Sequence, residues 1–155
     1  MKYARNTSVS RDRSRIEIER MVLKYGADEF GTLIKQNEAL VGFKYKNIRV
    51  EMAIPLPDKT DKRFSTSPSG RNRRSDTQAF IEWEKEVRRR WRSLCLVIKA
   101  LLVGVDDGVL TFEQAFMPYI VIGGRTIGQR FLPQITKALE SGEELKSIKQ
   151  LMMLP

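Results

Sequence analysis

From Ser75 to Val105 the chain carries no proline, and no glycine before Gly104. The stretch opens on Ser75-x-x-Gln78, the spacing of a capping box in which the serine oxygen and the glutamine side chain each satisfy a free group at a helix start. It predicts one helix of about thirty residues, about 45 Å long. At ~100° per residue, Phe80, Trp83, Val87, Trp91, Leu94, Ile98 and Leu101 share one face, which should be the core. Beyond Leu94 the helix is apolar nearly all round, since Leu96 and Val97 take azimuths that are polar a turn earlier. There it should be enclosed, by the rest of the chain or by a second subunit.

The same helix holds Arg88, Arg89, Arg90 and Arg92. Consecutive residues spread around a helix, so these do not form one cluster. Glu84 with Arg88 and Glu86 with Arg90 have i,i+4 spacing and are expected to pair within the helix. Lys85, Arg89 and Arg92 have no carboxylate four residues earlier and lie together opposite the apolar face. They form a candidate anion-binding stripe, against the plainer reading of a solvated helix surface.

The 155 residues suit one domain with its own core. The net charge of +9 attracts phosphate backbones, acidic proteins or anionic surfaces. Histidine is absent and Cys95 is the single cysteine. That removes intrachain disulfides, Cys/His zinc sites and Ser-His or Cys-His nucleophilic pairs, and it implies no cofactor. Cys95, inside the most apolar run, reads as a small buried hydrophobe. The run Leu94 to Val105 is interrupted by Lys99 and is too short to span a membrane, and MKYARNTSVSRDRSR has no apolar signal core, so a cytoplasmic protein is expected.

Residues 1–13 read as a mobile basic arm, and 14–155 as a single domain. Ser14-x-x-Glu17 looks like a capping box opening a short amphipathic helix with Ile18, Val22 and Tyr25 on one face, stopped by Gly26. From Phe30 the apolar period falls to two: Phe30, Thr32 and Ile34; Val41, Phe43 and Tyr45; Ile48, Val50, Met52 and Ile54. Short polar breaks make these an antiparallel three-strand meander, ended by Pro55-Leu-Pro57. Lys44, Lys46 and Arg49 belong to a basic outer side of that sheet. Residues 58–74 have no period and carry six basic residues against two acidic ones, which predicts a flexible basic loop. Its end, Arg71, Arg73 and Arg74, reaches the start of the long helix, where free amides favour an anion.

In the C-terminal third, Asp106-Asp107-Gly108 reads as a turn rather than a metal site. Thr111-x-x-Gln114 caps a short helix with Phe112 and Phe116. Thr126-x-x-Gln129 opens another with Ile127, Phe131, Ile135 and Leu139 inward, ended at Gly142. Leu145, Ile148, Leu151 and Met152 suggest a last amphipathic piece. The fold class is therefore α+β: an N-terminal helix, a three-stranded antiparallel meander, a long central helix packed on it, and short C-terminal helices.

Through SRIEIERMVLKYGA, IRVEMAIPLPD, WEKEVRRRWRSLCLVIKALL, TFEQAFMPYIV and GGRTIGQ, the chain from Ser14 onward resembles a widespread group of small proteins of phage and prophage genomes. The resemblance implies a phage setting in a bacterial cytoplasm and assigns no activity, so no functional residue is carried over from it. In topology alone, the helix, meander, helix order is similar to double-stranded RNA-binding domains, and a meander followed by a long helix is similar to the core of phage single-strand annealing proteins. The expectation is a non-catalytic nucleic-acid-binding protein using Arg71, Arg73, Arg74, Lys85, Arg89, Arg92, Lys44, Lys46 and Arg49. The alternative is an inhibitor or adaptor docking on a host protein. Single- and double-stranded nucleic acid fit equally well, and a homo-oligomer is a further candidate partner.

Overall fold

The structure, a computed structural model, describes residues 10–142. Eleven elements follow one another there: α1 (Arg11–Tyr25), β1 (Glu29–Ile34), β2 (Glu38–Tyr45), β3 (Ile48–Pro55), α2 (Lys62–Ser65), α3 (Asp76–Asp106), α4 (Phe112–Phe116), a 3₁₀ turn (Met117–Tyr119), β4 (Val121–Ile122), β5 (Arg125–Thr126) and α5 (Ile127–Ser141). The α+β arrangement is the one expected, with the meander in the order β1-β2-β3, both pairings antiparallel. Lys46 and Asn47 both have positive φ, as a two-residue hairpin requires.

Alternation sends Val41, Phe43, Val50, Met52 and Ile54 inward from the sheet. They meet Ile18 and Val22 of α1 and the Trp83, Val87, Trp91, Leu94, Ile98 and Leu102 face of α3. Cys95 is fully buried in the same core, and burial pushes its thiol up to about 11, so it stays a neutral thiol. Phe112 and Phe116 close the core from below the sheet, Phe116 edge-on to Phe43 with centroids 5.6 Å apart. An isolated bridge between Val50 and Ile120 ties the C-terminal third to β3. Buried Gly128 lets α5 start against the 3₁₀ turn, since a Cβ there would stand 2.8 Å from the Pro118 carbonyl oxygen.

Several expectations are corrected. The first helix begins one turn earlier, capped by the Ser10 hydroxyl, which accepts from the Arg13 amide at 3.2 Å. Ser14 lies four residues from Ile18 and shares its stripe with Val22, so it is buried inside the helix, its hydroxyl without a hydrogen-bond partner. Arg11 and Arg13 thus belong to α1 and not to an arm. Segment 58–74 is not a featureless loop: it contains α2 and a bridge between Thr66 and Arg73. The far half of α3 is not enclosed by the rest of the chain among the described residues, because Val97 and Val103 are exposed. Phe80, expected in the core, is 47% exposed and leans on Trp83 with Lys59 above both rings. On α5, Ile127 and Phe131 are half-buried, but Ile135 and Leu139 face outward with Leu132. The proposed last piece, Leu145 to Met152, lies outside the described residues. No helix among the described residues is long and apolar enough to cross a membrane.

Candidate nucleic-acid interface

A cleft of about 660 Å³ runs between the α2 region and the first half of α3. Its walls carry four cations, Arg63, Arg74, Lys85 and Arg89, and two carboxylates, Glu82 and Glu86. The rest of the lining is Phe64, Thr66, Ser67, Pro68 and Gly70. Three groups that the sequence points to separately, Arg74 from the loop end and Lys85 and Arg89 from the stripe, therefore come together.

Each of the three has a local partner. Arg74 Nη1 donates to the carbonyls of Arg63, Phe64 and Thr66 at 3.3, 3.2 and 2.8 Å. It caps the free carbonyl end of α2 and fastens the Thr66–Arg73 hairpin to α3, so its role is structural before it is electrostatic. Replacing Arg74 with alanine leaves three carbonyls unpaired and is expected to destabilise the segment by about 1–3 kcal/mol. Limited proteolysis should then cut first between residues 62 and 74, and an unchanged cleavage pattern would refute the capping role.

Lys85 pairs with Glu82 at 2.7 Å. Arg89 binds Glu86 with two nitrogens, at 2.8 and 2.5 Å, and Arg90 reaches the same carboxylate at 3.1 Å as well as the Pro55 carbonyl. The hydrogen bonds from Arg89, then those from Arg90, hold Glu86 down at about 2 against the opposing effect of burial. Glu82 is likewise held below its ordinary value, by the Lys85 hydrogen bond. Two corrections follow for the helix pairs. Arg89 is not free, because its partner lies three residues back rather than four, a spacing that also faces on a helix. The expected Glu84–Arg88 pair is not formed, and Arg88 Nε is buried without a hydrogen-bond partner.

Arg92, from the same stripe, does not line the cleft. It reaches across to Glu17 of α1 at 2.6 Å, so it clamps the two helices. The sheet cations are also elsewhere: Lys44 and Arg49 are cross-strand neighbours on the sheet face turned away from α3, paired with Glu29 at 3.2 Å and Glu51 at 2.8 Å. Lys46 Nζ lies 5.2 Å from the Tyr45 ring. Arg71 and Arg73 sit on the hairpin that walls the cleft, exposed and without a side-chain partner among the described residues. The amide expected to attract an anion at the start of α3 is partly pre-empted, since Ser75 Oγ takes the Gln78 N–H and Asp76 stands in the first turn.

Arg63 escapes sequence reasoning, because it lies in a segment with no periodicity to place it. Asp61, which caps α2, is the one available signal, and it also pairs with Arg63 at 3.1 Å. The glycine bend at Gly123-Gly124 is closed by Arg130, whose Nη2 donates to the Ile122 and Gly123 carbonyls at 2.7 and 3.3 Å. Among the described residues no three Asp, Glu or Cys side chains gather as metal ligands. No protein-family model, no curated protein and no solved structure matches the chain.

Proposed function

We propose that the chain is a phage-associated, non-catalytic nucleic-acid-binding protein that grips the phosphate backbone in the cleft between the α2 region and α3. The observation that carries this reading is the convergence of Arg63, Arg74, Lys85 and Arg89 against only Glu82 and Glu86, beside the exposed Arg71 and Arg73, which have no side-chain partner among the described residues. Helix-surface ion pairs of the Lys85–Glu82 kind contribute about 0.2–0.5 kcal/mol. A charge-assisted hydrogen bond is worth about 1.5–3 kcal/mol, so a phosphate oxygen can recruit Lys85 from Glu82, whereas Arg89, held by two such bonds to Glu86, adds its charge from where it stands. The interface is accordingly Arg71, Arg73, Lys85 and Arg89, with Arg63 and Arg74 adding field, and recognition is of backbone rather than base sequence. Action in a bacterial cytoplasm goes with the phage setting.

Fluorescence anisotropy with 30-mer single- and double-stranded DNA and RNA tests the reading. Binding should be measurable at 50 mM salt and fall steeply as salt rises, and no detectable binding to any of the four would refute it. Alanine at Arg71 and Arg73 together should flatten the logarithmic salt slope by about two units on duplex, about one for each phosphate no longer neutralised. Lys44→Ala, on the far sheet face, should leave the slope unchanged.

A second reading, docking on a host protein, is favoured by one observation: Leu132, Ile135 and Leu139 form an exposed apolar stripe on α5. A stoichiometric protein partner that survives nuclease treatment during purification from the host would prefer it.

A further inference from the structure

The two edges of the sheet are unlike. β3 is engaged at Val50 by Ile120, whereas β1 is paired only with β2 among the described residues. Lys35 N–H donates to the Glu38 carbonyl at 2.7 Å, and the register continues through Leu33 with Leu40 and Gly31 with Gly42. In an antiparallel ladder such hydrogen-bonded pairs alternate with open ones. The odd residues of β1 therefore turn their backbone groups to β2, and Phe30, Thr32 and Ile34 turn theirs to the free edge. Between Glu29 and Lys35 nothing guards that edge: it has no proline and no charge there, and it displays Leu33 and Ile34 at 55% and 60% exposure.

The geometry points to a homodimer in which this edge pairs antiparallel with the same edge of a second copy, about a two-fold axis at Thr32. The inference is independent of the nucleic-acid reading. In that register Thr32 faces its own counterpart and Phe30 faces Ile34 of the partner subunit. All of these are residues with outward backbone groups, so about six new backbone hydrogen bonds form across the axis.

The residues between them form open pairs, in which side chains approach most closely. Gly31 then lies opposite Leu33 of the partner subunit. A Cβ at Gly31 would meet nothing within 4 Å, and the groove of about 360 Å³ that Gly31, Gly42 and Leu40 line on this face is the space the incoming leucine covers. Glu29 lies opposite Lys35 of the partner subunit, twice by symmetry. Moving the axis to Gly31 sets Glu29 against a leucine, and moving it to Leu33 sets it against Asn37. The Thr32 register joins charge and shape complementarity at once.

Sedimentation equilibrium of the full chain should give a mass twice 17.9 kDa at tens of micromolar. Thr32→Pro removes only an outward N–H, which an edge strand tolerates, and should give a monomer with an unchanged circular dichroism spectrum. Glu29→Lys and Lys35→Glu should each raise the dimer dissociation constant about tenfold, two symmetric pairs being lost together, and the double exchange should restore it. A dimer that survives Thr32→Pro, or a double exchange no tighter than either single change, overturns the inference. So does a monomer at every concentration. If that monomer shows slow hydrogen exchange at amides 30, 32 and 34, another segment of the same chain occupies the edge.

Discussion

Replacing Phe116 with alanine is expected to destabilise the fold by about 3–5 kcal/mol, the range for truncating a fully buried large aromatic. Its side chain is completely enclosed. The ring stands edge-on to Phe43 and lies 4.8 Å from Phe112, which in turn meets Tyr25 at 6.0 Å and Tyr45 at 4.8 Å. Phe116 thus ties α4 to the sheet directly and to the end of α1 through Phe112, and its loss leaves a cavity that the close-packed rings around it cannot collapse to fill. Urea denaturation followed by circular dichroism should show the midpoint falling with little change in slope. Leu139→Ala, on the exposed face of α5, is the control and should shift stability by less than about 0.5 kcal/mol. A Phe116→Ala cost no larger than that control would mean α4 does not close the core.

That contrast between Phe116 and Leu139 also marks where the sequence is informative. Elements defined by local chemistry are legible. The capping boxes at Ser75, Thr111 and Thr126 are present with both hydrogen bonds, and Gly26 stops α1 at a φ of 118°. The meander follows from a period of two and from short polar breaks. What fails is whatever depends on the third dimension. Ser14 and Ser10 both have cap chemistry, and only the packing of the Ser14, Ile18 and Val22 stripe decides between them. Phe80 and Leu139 obey the helical period, yet a period says which residues share a face and not whether anything covers it.

The candidate site shows the same division. Proximity of Lys85 and Arg89 can be projected from helix geometry, and chain continuity places the loop end next to them. Their engagement cannot be read so easily. Glu86 serves Arg89 and Arg90 at once, and Glu17, far away in sequence, takes Arg92. Arg74, expected as a phosphate ligand, is a cap because three carbonyls converge on it, which is visible only after α2 has formed. Local spacing therefore locates the cations, and tertiary packing sorts them into structural and available ones.

Glu86→Gln should separate these two roles by moving stability and affinity in opposite directions. The carboxylate is held at about 2, below the ordinary 4.5, by Arg89 and Arg90. A depressed folded value means that its stabilisation is fully present above about 4.5 and is lost as the pH falls toward 2. With allowance for solvent screening, the neutral amide should cost about 1–2 kcal/mol at pH 7. The difference from the parent protein should shrink below pH 4.5 and vanish near pH 2. At the same time the substitution removes one negative charge from a cleft of four cations and two carboxylates and releases Arg89. Nucleic-acid affinity at 50 mM salt should therefore rise severalfold, in proportion to the added charge. Urea melts across the pH range and anisotropy titrations on the same preparation check both halves. A loss of stability with unchanged affinity would remove the cleft from the interface, because no phosphate bound there could be indifferent to the charge at Glu86.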